Sequence, residues 1–208
     1  ISPVSYCNQK CKFCYTTDLM KKAEIMPGKT LLSLIDGLVK VKTKGLRIQG
    51  IGEPTIHKDL PDAIFKAGSN GIDTGLTTNG VLMNNKMLDR CMEQLFSIKI
   101  SVIDSDSKRY ANFHRVHESH WKKVIENVKY AANLKSKKNY RTILHTTIYA
   151  EDSTYDHIKN IVKFCKDIGF DLVTVSNANY SERTPEPKKI KNNFIKTKDK
   201  HIQYLKDI

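Results

Sequence analysis

Long apolar runs are missing from this chain. No stretch of about 18 consecutive apolar residues occurs, so no segment reads as a membrane-spanning helix. The N-terminus shows no basic leader followed by an apolar run, and a cytoplasmic protein without membrane association is expected. Arginine is scarce: it supplies only six of the 35 basic residues, although the formal net charge is +13. Base readout and phosphate forks favour arginine's planar geometry, so a lysine-dominated surface reads as a solvated face before it reads as a nucleic-acid site. Cysteine is sparse too, at five. Three of the five crowd between positions 7 and 14, which argues against a secreted disulfide framework and for a reducing compartment. There is no internal repeat and no low-complexity domain.

What is present is an alternation. At 208 residues the chain fits one domain, and from Lys29 onward amphipathic helical segments alternate with short apolar ones. That order argues for βα units around a parallel sheet. Apolar stripes run through Leu31, Leu34, Ile35 and Leu38, through Trp121, Val124, Ile125, Val128 and Ala132, and through Ile158, Ile161, Val162, Cys165 and Ile168. Asp152 and Ser153 are expected to cap the last helix and Gly169 to end it. Strands are expected near Pro3 to Tyr6, Leu46 to Gly50, Thr74 to Thr78, Ile98 to Ile103, Thr142 to Tyr149 and Leu172 to Ser176. Several alternate in polarity, as with Leu46 and Ile48 against Arg47 and Gln49, or Ile98 and Ile100 against Lys99 and Ser101. A parallel strand buried on both faces would be apolar throughout. The expected fold is therefore α/β, a partial (β/α)6 barrel of the TIM type with a polar, ligand-holding lumen. It occupies residues 1–183, and a lysine-rich extension occupies 184–208.

Cys7-Asn-Gln-Lys-Cys11-Lys-Phe-Cys14 follows the first expected strand, at the rim where barrels place their chemistry. A closed structural zinc site needs four ligands, and no second Cys or His pair lies at a matching spacing. Three thiolates on a [4Fe–4S] cluster leave one iron open to a substrate or cofactor. A zinc-stabilised binding module and a ferredoxin-like electron carrier are the non-enzymatic alternatives. Cys91 and Cys165, each on a helical segment, read as small buried apolar residues. His114, His117 and His120 are spaced by three, but no carboxylate completes a metal site, and they are expected to be solvated or loop residues.

The spacing Cys-x3-Cys-x2-Cys, with Phe13 just before the last cysteine, resembles the signature of the radical S-adenosylmethionine (SAM) superfamily. The resemblance is to members that carry a C-terminal auxiliary-cluster domain of the SPASM type, although no further cysteine cluster is present here. It continues in Gly50-Ile51-Gly52-Glu53-Pro54, similar to the family's Gly-Gly-Glu-Pro motif with one glycine replaced. There the resemblance implies that Gly52 and Glu53 hold the amino group of SAM. It further implies Thr78 and Asn79 near SAM, Ser101 on its ribose, and Arg115 on its carboxylate, with Lys108 and Arg109 as competitors for that role.

The implied cofactors are a [4Fe–4S] cluster on Cys7, Cys11 and Cys14, and SAM. The implied reaction breaks the sulfonium C–S bond with one electron, yielding methionine and a 5′-deoxyadenosyl radical that takes hydrogen from substrate. A flavodoxin or ferredoxin is implied as electron donor. For the substrate, Arg47, Gln49 and Lys99 on the polar strand face and Asn177, Asn179 and Tyr180 at the rim are candidates. A peptide or small-molecule substrate is expected, with RNA modification as the alternative.

Overall fold

The computed structural model describes residues 1–20, 22–149 and 154–176. Five parallel strands, β1 (Gly45–Ile48), β2 (Asp73–Thr78), β3 (Leu95–Ile100), β4 (Ile143–Tyr149) and β5 (Leu172–Ser176), form one sheet in sequential order. Among the described residues the sheet is open. Sequential order with every neighbour parallel requires a crossover after each strand. The crossovers carry α2 (Leu60–Ser69), α3 (Asn85–Cys91), α4 (Ser107–His114), α5 (Ser119–Lys138) and α6 (Tyr155–Asp167), with α1 (Gly28–Lys40) preceding β1.

The period-2 alternation is visible in burial. Leu46, Ile48, Leu76, Ile98, Ile100, Leu144 and Ile148 are buried toward the helices, in one core with Leu31, Ile35, Leu60, Ile64, Val124, Val128, Ile161 and Cys165. Arg47, Thr77, Lys99 and His145 occupy the opposite face, as expected of a polar lumen. Fully burying a leucine or isoleucine is worth about 1.5–3 kcal/mol. That one-sided gain fixes the register, because a slip by one residue would turn Arg47 and Lys99 into the core.

The strand count differs from expectation. Segment 3–6 lies beside the continuation of β1, where Gly52 N–H donates to Val4 O at 3.1 Å and Glu53 N–H to Tyr6 O at 2.9 Å. Among the described residues its only ladder contact is an isolated antiparallel bridge from Val4 to Ile25. Pro3 brings no N–H, and the chain opposite is a glycine turn, so no regular strand forms. The cap of α6 also differs. Thr154 accepts the His157 N–H at 3.2 Å, while Asp152 and Ser153 lie outside the described residues. Gly169 follows α6 as expected, with φ +104°, and a Cβ there would stand 2.3 Å from that of Ala132. The boundary between the barrel and the lysine-rich extension lies outside the described residues.

Candidate active site

The ends of β1, β2 and β3 and the cysteine loop meet at the C-terminal rim. The loop is fastened from several sides. Lys10 N–H donates to His114 O at 3.2 Å and Lys12 N–H to Phe113 O at 2.9 Å, so the end of α4 serves as its backing. Gln9 donates to the Tyr110 hydroxyl at 3.0 Å, Asn79 Nδ2 to Asn8 Oδ1 at 2.7 Å, and Thr16 Oγ1 to Ile51 O at 2.9 Å. A loop tied to three separate elements holds its side chains without a metal. Here those side chains are the thiols of Cys7, Cys11 and Cys14, all free and half-buried.

One cavity of about 270 Å³ is lined by the three cysteines and by Phe13, Gln49, Gly52, Glu53, Thr78, Asn79 and Ser101. Residues far apart in sequence are thus gathered at one place. Gly52 is required by packing: a Cβ would stand 2.0 Å from Tyr6 O, so the close approach is to the N-terminal segment's backbone. Arg115 is not among the lining residues. It ends α4 in a left-handed conformation, φ 51°, with its side chain exposed. Arg109 is engaged elsewhere, its Nε 2.7 Å from the buried Asp104 carboxylate, which His157 also approaches at 3.1 Å. Arg47 and Lys99 lie lower on the lumen face. Asn177, Asn179 and Tyr180 lie outside the described residues.

Glu53 is buried, and its carboxylate is already well supplied with donors. Oε1 accepts from Thr55 N–H at 3.1 Å, Thr55 Oγ1 at 2.6 Å and Thr78 Oγ1 at 2.6 Å, and Oε2 accepts from Asn79 N–H at 2.8 Å. Burial raises its pKa, and these bonds oppose the rise. The remaining acceptor capacity is at Oε2.

The thiols fit a soft metal centre. Burial raises the pKa of Cys7, and burial with the neighbouring Cys7 and Cys14 raises that of Cys11. Metal ligation deprotonates a thiol outright, so irons would take the place of protons that this environment otherwise retains. Among the described residues no three Cys, His, Asp or Glu side chains converge closely enough to hold one metal ion. The thiols instead flank a cavity, as ligands to separate irons of a cluster do.

His114 corrects an expectation. It is not solvated but 1% exposed, with Nδ1 3.0 Å from Cys11 Sγ and its ring packed on Tyr110 and Phe13. Burial first, and His120 second, push its pKa down to about 3, so the ring is neutral. Its Nε2 and the Nδ1 of His120 are buried without hydrogen-bond partners among the described residues. His117 is exposed and accepts the Ser119 N–H at 3.2 Å. The missed signal was local: Asp106 caps α4 by accepting the Arg109 N–H at 2.8 Å, which sets Tyr110 and His114 one turn apart on the buried face.

The model of the radical SAM superfamily matches residues 1–165. Among curated proteins, the chain is 23% identical over 177 residues to the tungsten-containing aldehyde ferredoxin oxidoreductase cofactor-modifying protein of Pyrococcus furiosus, covering 83% of this chain and 49% of that protein. It is 24% identical over 165 residues to a probable GTP 3′,8-cyclase of Methanococcus vannielii, covering 78% and 52%. Among solved structures, Streptococcus suis SuiB bound to S-adenosylmethionine superposes with a TM-score of 0.71 at 20% identity, covering 97% of this chain and 47% of that one. The chain spans about half the length of the curated relatives it matches. A family match of that extent, over a fold whose rim gathers the motif residues, means that this chain belongs to the radical SAM superfamily, whose cofactors are a [4Fe–4S] cluster and SAM.

Proposed function

We propose that this chain is the SAM-cleaving portion of an enzyme that abstracts hydrogen from a peptide or small biosynthetic molecule. The observation that carries the reading is the single cavity shared by Cys7, Cys11 and Cys14 with Gly52, Glu53, Thr78, Asn79 and Ser101. The cysteines are the cluster ligands. When bound, the reduced cluster supplies the electron that splits SAM into methionine and a 5′-deoxyadenosyl radical. A flavodoxin or ferredoxin supplies that electron in turn.

The chain's own residues place and shield. Asn79 and Gln9 hold the loop, Phe13 covers one wall against His114 and Tyr149, and Glu53 fixes the end of β2 and offers Oε2 to the SAM ammonium. Ser101, which lines the same cavity, would meet the ribose of bound SAM. Arg115 is the proposed partner of the SAM carboxylate, although it does not line the rim cavity. No side chain is needed as acid or base for hydrogen-atom transfer; placement and exclusion of water are the protein's contribution.

A peptide substrate is supported by SuiB, which has been solved with its precursor peptide SuiA, and a small molecule by the relatives named as GTP cyclases. RNA is the second reading, favoured by the net charge of +13. Anaerobic reconstitution should give about four irons and four sulfides per chain. That content should be lost in Cys7→Ala, Cys11→Ala and Cys14→Ala and kept in Cys91→Ala. The reconstituted protein is then assayed for 5′-deoxyadenosine with peptide, small-molecule and RNA fractions of a cell extract. Stoichiometric zinc without sulfide removes the enzyme reading, and selective, nuclease-sensitive stimulation by RNA overturns the substrate class.

A further inference from the structure

Below the rim, the lumen face carries a cluster of positive charge that the SAM site does not use. Lys99 on β3 stands in register with His145 on β4 and with Thr77 on β2. Arg47 on β1 is paired in register with Gly75, whose missing side chain leaves the way clear, and its Nη2 reaches Thr77 Oγ1 at 3.5 Å. Arg47, Thr77 and His145 line one hollow, and Lys99, in register with Thr77 and His145, stands beside it without lining it. The groups feel one another: burial and then Arg47 lower the pKa of Lys99, and burial, Lys99 and Arg47 in that order lower that of His145. Asp73 lines the same hollow but is paired with Arg141 at 3.2 Å. Among the described residues, no hydrogen bond or ion pair joins a carboxylate to Arg47, Lys99 or His145.

We infer that this hollow binds a phosphate group of the substrate, an inference that rests on the hydrogen-abstraction reading above for its role in catalysis. Like charges gathered on one sheet face repel, and an anion placed among them relieves the repulsion. Arg47 and an imidazole in the hollow, with Lys99 beside it, match a phosphate, which carries about −1.5 to −2 at neutral pH. A single carboxylate would leave one cation unbalanced. Thr77 lines both this hollow and the rim cavity, so the two are neighbours along the lumen face. The side chains of Arg47 and Gln49 are two residues apart on one strand, about 7 Å. A phosphate held at the lower level therefore leaves the rest of a small substrate extending upward to the radical.

The test titrates the full, anaerobically reconstituted chain with inorganic pyrophosphate, inorganic phosphate and succinate at constant ionic strength, by calorimetry. Saturable binding of pyrophosphate or phosphate at one site per chain is expected, with succinate much weaker. Lys99→Met and Arg47→Gln should each weaken it roughly 10- to 150-fold, the loss typical of one charged hydrogen bond, and Lys99→Arg should retain it. Absence of saturable binding, equal binding of succinate, or unchanged affinity in both charge-removing variants would overturn the inference, the last by assigning the anion to surface lysines. SAM binding and iron content are measured on the same samples. Their failure with pyrophosphate binding intact would remove the radical SAM role while leaving the anion site standing.

Discussion

Replacing Glu53 with glutamine changes one atom type and separates two roles for this residue. The glutamine carbonyl can occupy the place of Oε1 and keep the two Thr55 bonds and the Thr78 bond, now to a neutral acceptor. Its NH2 group then falls where Oε2 accepted the Asn79 N–H, and a donor faces a donor. An orphaned buried N–H costs about 1–3 kcal/mol, and the three remaining bonds lose charge assistance. Relief of the buried charge, seen in the raised Glu53 pKa, works the other way. The net expectation is a loss of about 1–3 kcal/mol, or roughly 0.3–1 M in the urea midpoint of the cluster-free chain at an m of about 3 kcal/mol per M. Displacing Asn79 also loosens its 2.7 Å bond to Asn8 in the cysteine loop. SAM affinity, by anaerobic calorimetry, should therefore fall by roughly 10- to 150-fold. A midpoint unchanged within about 0.2 M would refute the buried network. A lowered midpoint with unchanged SAM affinity would leave Glu53 as scaffold alone.

Two further outcomes follow from buried groups. With Cys11 as a thiolate, Nδ1 of His114 must donate to it; hydrogen bonds to cluster sulfurs favour the reduced form, so His114→Leu should move the cluster midpoint potential to more negative values in an EPR-monitored titration, and an unmoved potential would deny the contact. Cys91 donates to Met87 O at 3.2 Å, and burial pushes its thiol up to about 12. A folded-state pKa above the unfolded value near 9 means stability is fully present below about pH 9 and lost as pH rises toward 12. The loss is at most about 4 kcal/mol. In urea unfolding, Cys91→Ala should flatten this decline, and an equally steep decline would show that the thiol is not withheld from solvent.

The legible part of the fold was the part governed by one-sided burial. β2 and β4, whose alternate residues are buried, differ from expectation by one residue; β5 falls at Leu172–Ser176 as expected, although none of its residues is buried. The first segment departs from a strand because of what lies opposite it; Pro3 and the Gly50 to Gly52 turn cannot sustain a ladder. The helices α2, α3 and α4 are short or start on subtle caps such as Asn84 and Asp106, and leave little periodicity to count.

In the site, spacing and chemistry identified the cysteines, because three thiols in eight residues have few explanations. His114 was missed for the opposite reason. A histidine before a loop is ordinary in sequence, and only the return of α4 against the cysteine loop, through Lys10 and Lys12 to the carbonyls of His114 and Phe113, makes it a neighbour of Cys11. The same holds for the charge on the lumen face. Arg47, Lys99 and His145 are unremarkable in a chain with 35 basic residues. Parallel register alone sets Lys99 beside His145 and brings Arg47 within reach of the same Thr77, so that repulsion on one sheet face becomes a place for an anion.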